Sequence, residues 1–222
     1  MTAIRTPDNP RRLRRRPRYA RTRVLYPFAW HTPVLVVPGL HGSGPGHWQT
    51  HWEARYPELV RVVQEDFSTP EPDAWAATIV AAVRSAAEPP ILVAHSFGCL
   101  ATVRAAYALG DAIAGALFVA PADPARFGIE DPALAATLAF PSTLVASRSD
   151  PWLKFIKAGA LAARWGSRFV DAGHAGHINA ESGHGAWPAG LDLLRDVAER
   201  SAAAGTLRRA PGIQDGWRSV AA

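Results

Sequence analysis

The first candidate for chemistry is a serine in the stretch ILVAHSFGCL, residues 91–100. Apolar residues run into it from one side, and a helix-forming segment follows on the other. Ser96 has Ala94 two positions before it and Gly98 two positions after it. A serine at a strand-turn-helix junction with small residues at these positions is typical of a nucleophile elbow, because the sharp turn has no room for larger side chains. The pattern therefore predicts that Ser96 is a nucleophile.

Ser96 also has a simpler interpretation, since serine is a favoured N-cap residue of a helix. The flanking strand and helix, together with an aspartate and a histidine in suitable order downstream, favour the nucleophile. His95 is interpreted as a spacer in the turn, because a residue next to the serine cannot easily fold back onto its hydroxyl. Cys99 is expected to be a small buried hydrophobic residue in the first helical turn.

The general base of such a site must be a histidine that follows the last strand. The segment DAGHAGHINAESGHG, residues 171–185, offers His174, His177 and His184. In the tripeptide Gly-His-Ile around His177, the glycine lets the loop bend and the isoleucine can anchor it. This local pattern favours His177 over His174 as the base. Each of the three histidines has the alternative of a solvent-facing loop residue.

The acid that orients the histidine is expected after an earlier strand. Asp150 follows the apolar run STLVAS in the segment SRSDP, and the proline stiffens the turn beyond it. Asp123 follows the preceding strand in the segment PADP and is the alternative. Either aspartate can also be explained as an Asx-type turn before a proline. Asp150 is favoured, and the chain order serine, aspartate, histidine is that of α/β-hydrolases.

A serine nucleophile needs two backbone N–H donors to stabilise the oxyanion that forms when it attacks a carbonyl. Phe97, the residue after the serine, is predicted to supply one donor. Leu40, in the glycine-rich turn after the first strand, is predicted to supply the other. Gly39 and His41 in the same turn are expected to contact the substrate, because glycine lets the backbone approach closely.

Three aromatic residues are candidates for the wall of the substrate pocket. Trp48 and Trp152 are predicted to bind substrate, and Phe127 is a further candidate. Each of them is also a plausible core residue, which is the commoner fate of a large aromatic side chain.

A metal-dependent hydrolase is a second hypothesis for the same region. Asp171, His174, His177 and His184 are close enough in sequence to suggest a ligand set. However, they lie in a glycine-rich loop, and none of the usual zinc motifs is present. The favoured interpretation therefore uses no metal and no cofactor.

Strand-like apolar runs alternate with helix-like runs over the body of the chain. The predicted strands are 33–40, 61–66, 89–95, 113–121, 141–150 and 167–173, and the predicted helices are 48–57, 73–86, 97–109, 154–165 and 188–205. Such alternation predicts an α/β fold with a mostly parallel sheet and helices on both faces. Sites in these sheets form at the C-terminal ends of the strands, where the candidate residues fall. The linker 121–140 is too short for a lid domain, so a compact fold without a cap is expected.

Composition adds limits on domains, partners and location. The net charge of +5 is concentrated in residues 5–23, whose nine arginines and one acid contribute +8 and leave −3 for the rest. We predict a disordered Arg-rich tail at 1–23, a hydrolase domain at 24–205 and a C-terminal tail at 206–222. No stretch is long and apolar enough to span a membrane. A single cysteine favours a reducing, cytoplasmic location.

Several segments together resemble a known family, the small serine hydrolases of the YdeN / retinoblastoma-binding-protein-nine type. The resemblance covers residues 33–200 and rests on VPGLHGSGPGHWQTHWE, VAHSFGCLA, VAPADP, SRSDPW and GHINAESGHGAWPAGL. It implies a compact α/β-hydrolase fold without a large cap. It also implies Ser96 as nucleophile, Asp150 as acid and His177 as base, and strengthens the choice of Asp150.

The sequence therefore predicts a carboxylesterase-like serine hydrolase that cleaves small esters through an acyl-enzyme. One alternative is a hydrolase of the aminopeptidase or amidase type. Another is a protein-interaction role on a hydrolase fold, because a fold does not determine function. The expected partner is a small ester or amide, nucleic acid is unlikely except through the basic tail, and the oligomeric state is left open.

Overall fold

The computed structural model of the protein describes residues 32–130 and 132–206. The predicted Arg-rich tail at 1–23 lies outside the described residues, as does the C-terminal tail from residue 207. The domain limits of 24 and 205 therefore stay predictions. Thr206 still contacts the body of the protein, since its Oγ1 donates a hydrogen bond of 2.7 Å to the Ala114 carbonyl oxygen.

A sheet of six parallel strands forms the centre of the molecule, in the order β2-β1-β3-β4-β5-β6. The strands are β1 Val34–Val37, β2 Leu59–Arg61, β3 Ile91–His95, β4 Gly115–Val119, β5 Ser142–Ala146 and β6 Arg168–Asp171. The predicted parallel sheet is confirmed. The predicted strand 61–66 was placed too late, because pairing with β1 begins at Leu59, opposite Val34, and reaches only the Val62 N–H, which donates to the Val36 carbonyl oxygen.

Five helices cover the two faces of the sheet. They are α1 Trp48–Arg55, α2 Pro72–Ser85, α3 Phe97–Leu109, α4 Phe155–Trp165 and α5 Pro188–Ala203. Helices α2, α3 and α4 contribute to the hydrophobic core on one face, whereas α1 and α5 contribute to the core on the other. Helix α2 begins at Pro72, in agreement with the preference for proline in a first helical turn.

The four central strands, β1, β3, β4 and β5, are buried on both sides because both faces of the sheet are covered there, whereas the edge strands β2 and β6 are more exposed. In β3, Leu92 and Ala94 point into one core, and Ile91 and Val93 point into the other. The same alternation occurs in β1 and β4. A continuous apolar run, rather than an alternating one, is thus what this sheet requires.

The linker between β4 and β5 contains two short 3₁₀ turns, Pro124–Phe127 and Pro132–Ala135, and no separate domain among its described residues. We call Pro124–Phe127 the rim turn, because it borders the site described below. Across the described part of the chain, no helix has both the length and the apolar character needed to cross a membrane.

Candidate active site

Ser96 occupies a strained turn between the end of β3 and the start of α3. Its φ of 54° and ψ of −124° lie in a region that residues other than glycine rarely adopt. A Cβ atom at Gly98 would overlap the Pro38 carbonyl oxygen, so that position cannot carry a side chain without movement of β1. Ala94 is fully buried. The small residues seen in the sequence thus serve the steric need of this turn.

His177 lies within hydrogen-bonding distance of both Ser96 and Asp150. The Ser96 hydroxyl is 3.0 Å from His177 Nε2. His177 Nδ1 is 3.0 Å from both carboxylate oxygens of Asp150. If Nδ1–H donates to the carboxylate, Nε2 is free to accept the serine hydroxyl proton. The three residues come from three loops, each at the C-terminal edge of the sheet.

The His177 and Asp150 side chains are largely removed from solvent, with exposed fractions of 9% and 3%. Asp150 Oδ1 also accepts the Trp152 backbone N–H at 2.8 Å, which fixes the carboxylate in its turn. A buried carboxylate that accepts several hydrogen bonds keeps a constant orientation. It can therefore hold the imidazole in one tautomer.

The loops that carry Asp150 and His177 are joined by two serines. Ser147 Oγ accepts the Ala175 N–H at 2.9 Å, and Ser149 Oγ accepts the Gly176 N–H at 3.0 Å. These contacts arise because β5 and β6 are neighbours, so the loops after them lie side by side. Neither serine was predicted from the sequence. The alternating serines of SRSDP, just before Asp150, were the feature of the sequence that could have indicated this role.

Asp123, the alternative acid, is bound elsewhere. Its Oδ2 lies 2.6 Å from Lys157 Nζ, and its Oδ1 accepts the Ala125 N–H. Burial alone would raise the pKa of this carboxyl, but Lys157, the Ala125 N–H and the charge of Arg126 together outweigh burial and lower it. The geometry therefore places Asp150, and not Asp123, beside His177.

The other two loop histidines do not approach the serine. His174 is exposed. His184 Nδ1 is 3.1 Å from the Ser182 hydroxyl, within its own loop. Gly176 has a φ of 59°, a left-handed value that glycine adopts easily, and Ile178 is fully buried. The bend and the anchor expected on either side of His177 are both present.

Trp48 was predicted to bind substrate, and this prediction is wrong. Its side chain is fully buried between α1 and the sheet, against Trp52 and Trp187. Its Nε1–H donates to the Ile178 carbonyl oxygen at 2.9 Å. The indole is therefore part of the core, and its hydrogen bond holds the loop that carries His177 on the side away from the substrate.

Two buried histidines lie behind the site, and the sequence analysis did not identify their contacts. His95 Nε2–H donates to the His177 carbonyl oxygen at 3.0 Å, so His95 is more than a spacer. The His95 ring centroid is 4.8 Å from that of His177 and 4.6 Å from that of His47. Burial, with smaller contributions from neighbouring charges, lowers the pKa of His47 to about 4. Burial also lowers the pKa of His95 well below its ordinary value.

Gln49 is a second buried polar residue that the sequence did not reveal. Its Nε2 donates to the carbonyl oxygens of Val37 in β1 and Val93 in β3. Its Oε1 accepts the Ser43 hydroxyl at 2.6 Å. Gln49 thus attaches the glycine-rich turn to the two strands that flank the elbow. The only local signal was a polar residue between Trp48 and Trp52.

The backbone around Ser96 provides candidate oxyanion donors. Phe97 is the first residue of α3, and Leu40 is the first residue of a 3₁₀ turn, Leu40–Gly42. Backbone N–H groups at such positions have no acceptor inside their helix. A Cβ atom at Gly39 would lie 2.7 Å from Ser96 Cβ, so glycine is needed for this close approach.

The exposed rim of the site contains the remaining predicted contacts. His41 is exposed, and its N–H is taken by the Phe67 carbonyl oxygen. Trp152 is 50% exposed, with its ring centroid 6.1 Å from that of His177. Phe127 in the rim turn packs on Phe97 at 4.9 Å. A cavity of about 390 Å³ lies beside the rim turn and α4, and its walls include no atom of the three central residues.

The ligand set of the metal hypothesis is dispersed. Asp171 forms an ion pair with Arg148, and His177 is held between Ser96 and Asp150. Among the residues that the structure describes, no three His, Cys, Asp or Glu side chains are grouped as metal ligands. Burial raises the pKa of the Cys99 thiol, so it stays protonated and is not a competing nucleophile.

Comparison with known proteins identifies the family. The family described as "Serine hydrolase" matches residues 34–196. A YdeN-like hydrolase from Pectobacterium atrosepticum is 40% identical over 77% of this chain and 92% of its own, with a TM-score of 0.74. No curated protein matches the sequence significantly.

More distant structures share the fold. The ydeN gene product of B. subtilis is 20% identical over 76% of this chain and 99% of its own, with a TM-score of 0.63. Est1E from Butyrivibrio proteoclasticus, solved with ferulic acid bound, is 12% identical over 79% of this chain and 91% of its own, with a TM-score of 0.60. The parallel sheet, the strained serine turn and these matches agree. The chain therefore belongs to the YdeN-like serine hydrolase family, and it has the α/β-hydrolase fold.

Proposed function

We propose that this protein is a carboxylesterase-like enzyme in which Ser96, His177 and Asp150 form the catalytic triad. The observation that carries the proposal is the pair of contacts at His177, 3.0 Å from Nε2 to the Ser96 hydroxyl and 3.0 Å from Nδ1 to the Asp150 carboxylate. A nucleophile within hydrogen-bonding reach of a base, itself oriented by a third group, is the arrangement that acyl transfer needs.

In the proposed acylation step, His177 takes the Ser96 hydroxyl proton as the oxygen attacks the ester carbonyl carbon. Asp150 stabilises the imidazolium that forms and keeps its ring in place. The N–H groups of Phe97 and Leu40 hold the oxyanion of the tetrahedral intermediate. His177 then gives the proton to the leaving alcohol, and the acyl group remains on Ser96.

In the proposed deacylation step, water replaces the alcohol. His177 removes a proton from the water as it attacks the acyl carbonyl, and Ser96 regains its proton when the acid leaves. The two steps use the same base and the same oxyanion donors. No metal or cofactor takes part in this scheme.

The substrate proposed for this site is a small ester. The described linker after β4 carries only short turns, and Trp152 at the rim is half exposed, so little apolar surface is available to cover a long acyl chain. Each buried CH₂ contributes only about 0.8 kcal/mol, so an open site gains little from extra carbons. We expect activity to peak at acyl groups of roughly two to six carbons and to fall for long lipids.

Active-site labelling tests the proposal. A fluorophosphonate probe should label one residue per chain, on the peptide that contains Ser96, as read by mass spectrometry. Ser96→Ala should abolish labelling and lower kcat on an aryl ester on the order of 10⁴-fold or more, with an unchanged circular dichroism spectrum. Label on another residue would reject Ser96 as the nucleophile.

The same assay separates the alternatives. Amino-acid amides cleaved better than matched esters would favour the aminopeptidase or amidase type. Absence of label in folded protein would favour a protein-interaction role. The cytoplasmic location that the single cysteine favours remains part of the proposal.

A further inference from the structure

Arg126 is a cation at the edge of the site that the mechanism does not use. It lies in the rim turn and is exposed to solvent. The next residue, Phe127, packs its ring 4.9 Å from that of Phe97 at the start of α3. The rim turn is therefore anchored next to the elbow, and Arg126 projects from an anchored segment.

The guanidinium of Arg126 is held against the turn that carries the proposed acid. Its carbon Cζ lies 5.2 Å from the centroid of the Trp152 ring, in a cation–π contact. Its Nη2 donates to the Pro151 carbonyl oxygen at 2.9 Å. The Trp152 backbone N–H is bound to the Asp150 carboxylate, so both contacts of the guanidinium are to the turn that carries Asp150.

Two other cations around the turn after β5 are already paired with carboxylates. Lys157 is bound to Asp123, and Arg148 is bound to Asp171. Among the described residues, Arg126 forms no ion pair, and only Nη2 is used in a hydrogen bond to the protein, although the charge of Arg126 contributes to the lowered pKa of Asp123. A guanidinium has five N–H donors, so most of them are free to meet a carboxylate in the paired geometry that arginine favours.

The position of the guanidinium limits the size of the ligand. The Trp152 ring centroid is 5.2 Å from Arg126 Cζ and 6.1 Å from the His177 ring centroid, so their sum sets a maximum of about 11 Å between cation and imidazole. A charge-assisted contact occupies about 2.8 Å of this span. At roughly 1.2 Å per bond of extended chain, the rest accommodates at most about seven bonds, which spans the six carbons of a dicarboxylic acid.

We infer that Arg126 binds a carboxylate on the substrate, so that the preferred esters are small and anionic, such as monoesters of dicarboxylic acids with about six or fewer carbons. This inference rests on the proposed ester hydrolysis at Ser96. It adds a specificity-determining residue to that site. An arginine that only shields Trp152 is the ordinary alternative, and it predicts no dependence on substrate charge.

Matched pairs of esters test the inference. On the acyl side, the 4-nitrophenyl monoester of adipic acid is compared with 4-nitrophenyl hexanoate, which has the same number of carbons. On the alcohol side, the acetyl ester of 3-hydroxybenzoate is compared with phenyl acetate. Rates are corrected for uncatalysed hydrolysis. Arg126→Gln should lower kcat/KM about tenfold for at least one anionic ester, mainly through KM, and leave both neutral esters within about twofold.

Three controls accompany the test. Arg126→Lys keeps the charge but not the paired donors, so it should retain part of the preference. Arg164→Gln, an exposed arginine near the end of α4, should change neither ester of a pair. The preference should shrink at high salt, since exposed charges are screened.

A binding measurement keeps the inference separate from the proposed function. In the Ser96→Ala protein, adipate should bind more weakly after Arg126→Gln, as measured by calorimetry, whether or not any ester is cleaved. Equal losses for charged and neutral esters, or unchanged adipate binding, would overturn the role of Arg126. Failure of fluorophosphonate labelling would instead reject the proposed function.

Discussion

Two Asp-Pro turns sit side by side in this molecule and end up with different partners. Asp123 follows the last residue of β4 by four positions, and Asp150 follows the last residue of β5 by four. Each carboxylate accepts the backbone N–H two residues ahead, from Ala125 and from Trp152. Their local chemistry is thus the same.

The turns differ in what the rest of the fold brings to them. Lys157 from α4 reaches Asp123, whereas His177 from the loop after β6 reaches Asp150. The reason is sheet order, because β6 pairs with β5 and not with β4. An Asx-type turn thus places a carboxylate at the C-terminal edge of the sheet, and the element that follows the neighbouring strand determines which side chain binds that carboxylate.

The largest expected effect separates the two aspartates by kinetics. Asp150→Asn should lower kcat on an aryl ester by roughly 10³- to 10⁴-fold, because the imidazole loses the carboxylate that orients and stabilises it. Asp123→Asn should lower kcat less than tenfold. Purified, folded variants compared by steady-state assays provide the measurement. The reverse ranking would move the acid to the turn after β4.

The buried histidines near the Asp150 turn and the carboxylate of Asp123 should affect stability in different pH ranges. Burial lowers the pKa of His47, which lies against His95, from 6.5 to about 4, and it also lowers the pKa of His95 well below its ordinary value. Both regain ordinary values in the unfolded chain, which therefore binds more protons below pH 6.5. The free energy of unfolding should fall as pH drops from about 6.5 towards 4, by up to about 1.4 kcal/mol per pH unit for each histidine.

Denaturant titrations at several pH values measure how the free energy of unfolding changes with pH. Two variants show which residues cause this change. His47→Asn keeps a side-chain acceptor for the start of α1 and removes one of the two histidines. It should therefore reduce the pH dependence of the unfolding free energy by the contribution of one histidine. Asp123→Asn should leave the slope between pH 6.5 and 4 unchanged. The lowered pKa of Asp123 means that its stabilisation is present above the ordinary value of 3.8 and is lost only below it. A flat profile in the unaltered protein would contradict the buried neutral state of both histidines.

A smaller effect is expected from the hydrogen bond between His95 and the backbone of His177. His95 donates to the His177 carbonyl oxygen, so we expect His95 to position the base. His95→Leu should slow turnover and fluorophosphonate labelling about 10- to 100-fold, since small misplacements of catalytic groups carry large costs. His95→Gln presents a donor near the Nε2 position and should recover most of the rate. His51→Gln, an exposed histidine on α1, is the matched control.

These two variants distinguish positioning from general stability. If the leucine and glutamine variants have the same thermal midpoint but different labelling rates, the hydrogen bond itself acts on His177. Equal rates in the two variants would mean that the Asp150 side alone orients the base.

Much of the fold followed from local sequence. Apolar runs predicted the central strands, because a parallel sheet covered on both faces needs continuous apolar strands, and shorter strand-like segments predicted the edge strands β2 and β6. The helices followed from their spacing and end signals. The edge strand β2 was misplaced, since a strand of three residues carries only a weak apolar signal.

The part of the candidate site that could be predicted is the turn at Ser96, because its steric requirements involve only neighbouring residues in the sequence. Ala94 and Gly98 identified the elbow, because the turn at Ser96 tolerates only small residues at those positions. Trp48 shows the limit of such reasoning. A tryptophan beside a glycine-rich loop suits a pocket and a core equally, and only the packing of α1 on the sheet buries it.

Local sequence was enough to identify the candidate residues: a serine in a turn that needs small neighbours, two aspartates after strands, and three histidines in one loop. Which of these side chains contact one another depends on the order of the strands in the sheet. Pairing of β5 with β6 brings His177 to Asp150, and the buried contacts of His95, Gln49 and Trp48 join segments far apart in the chain. The physical reason is that sterics act over a few residues, whereas hydrogen-bond partners across a sheet depend on strand order.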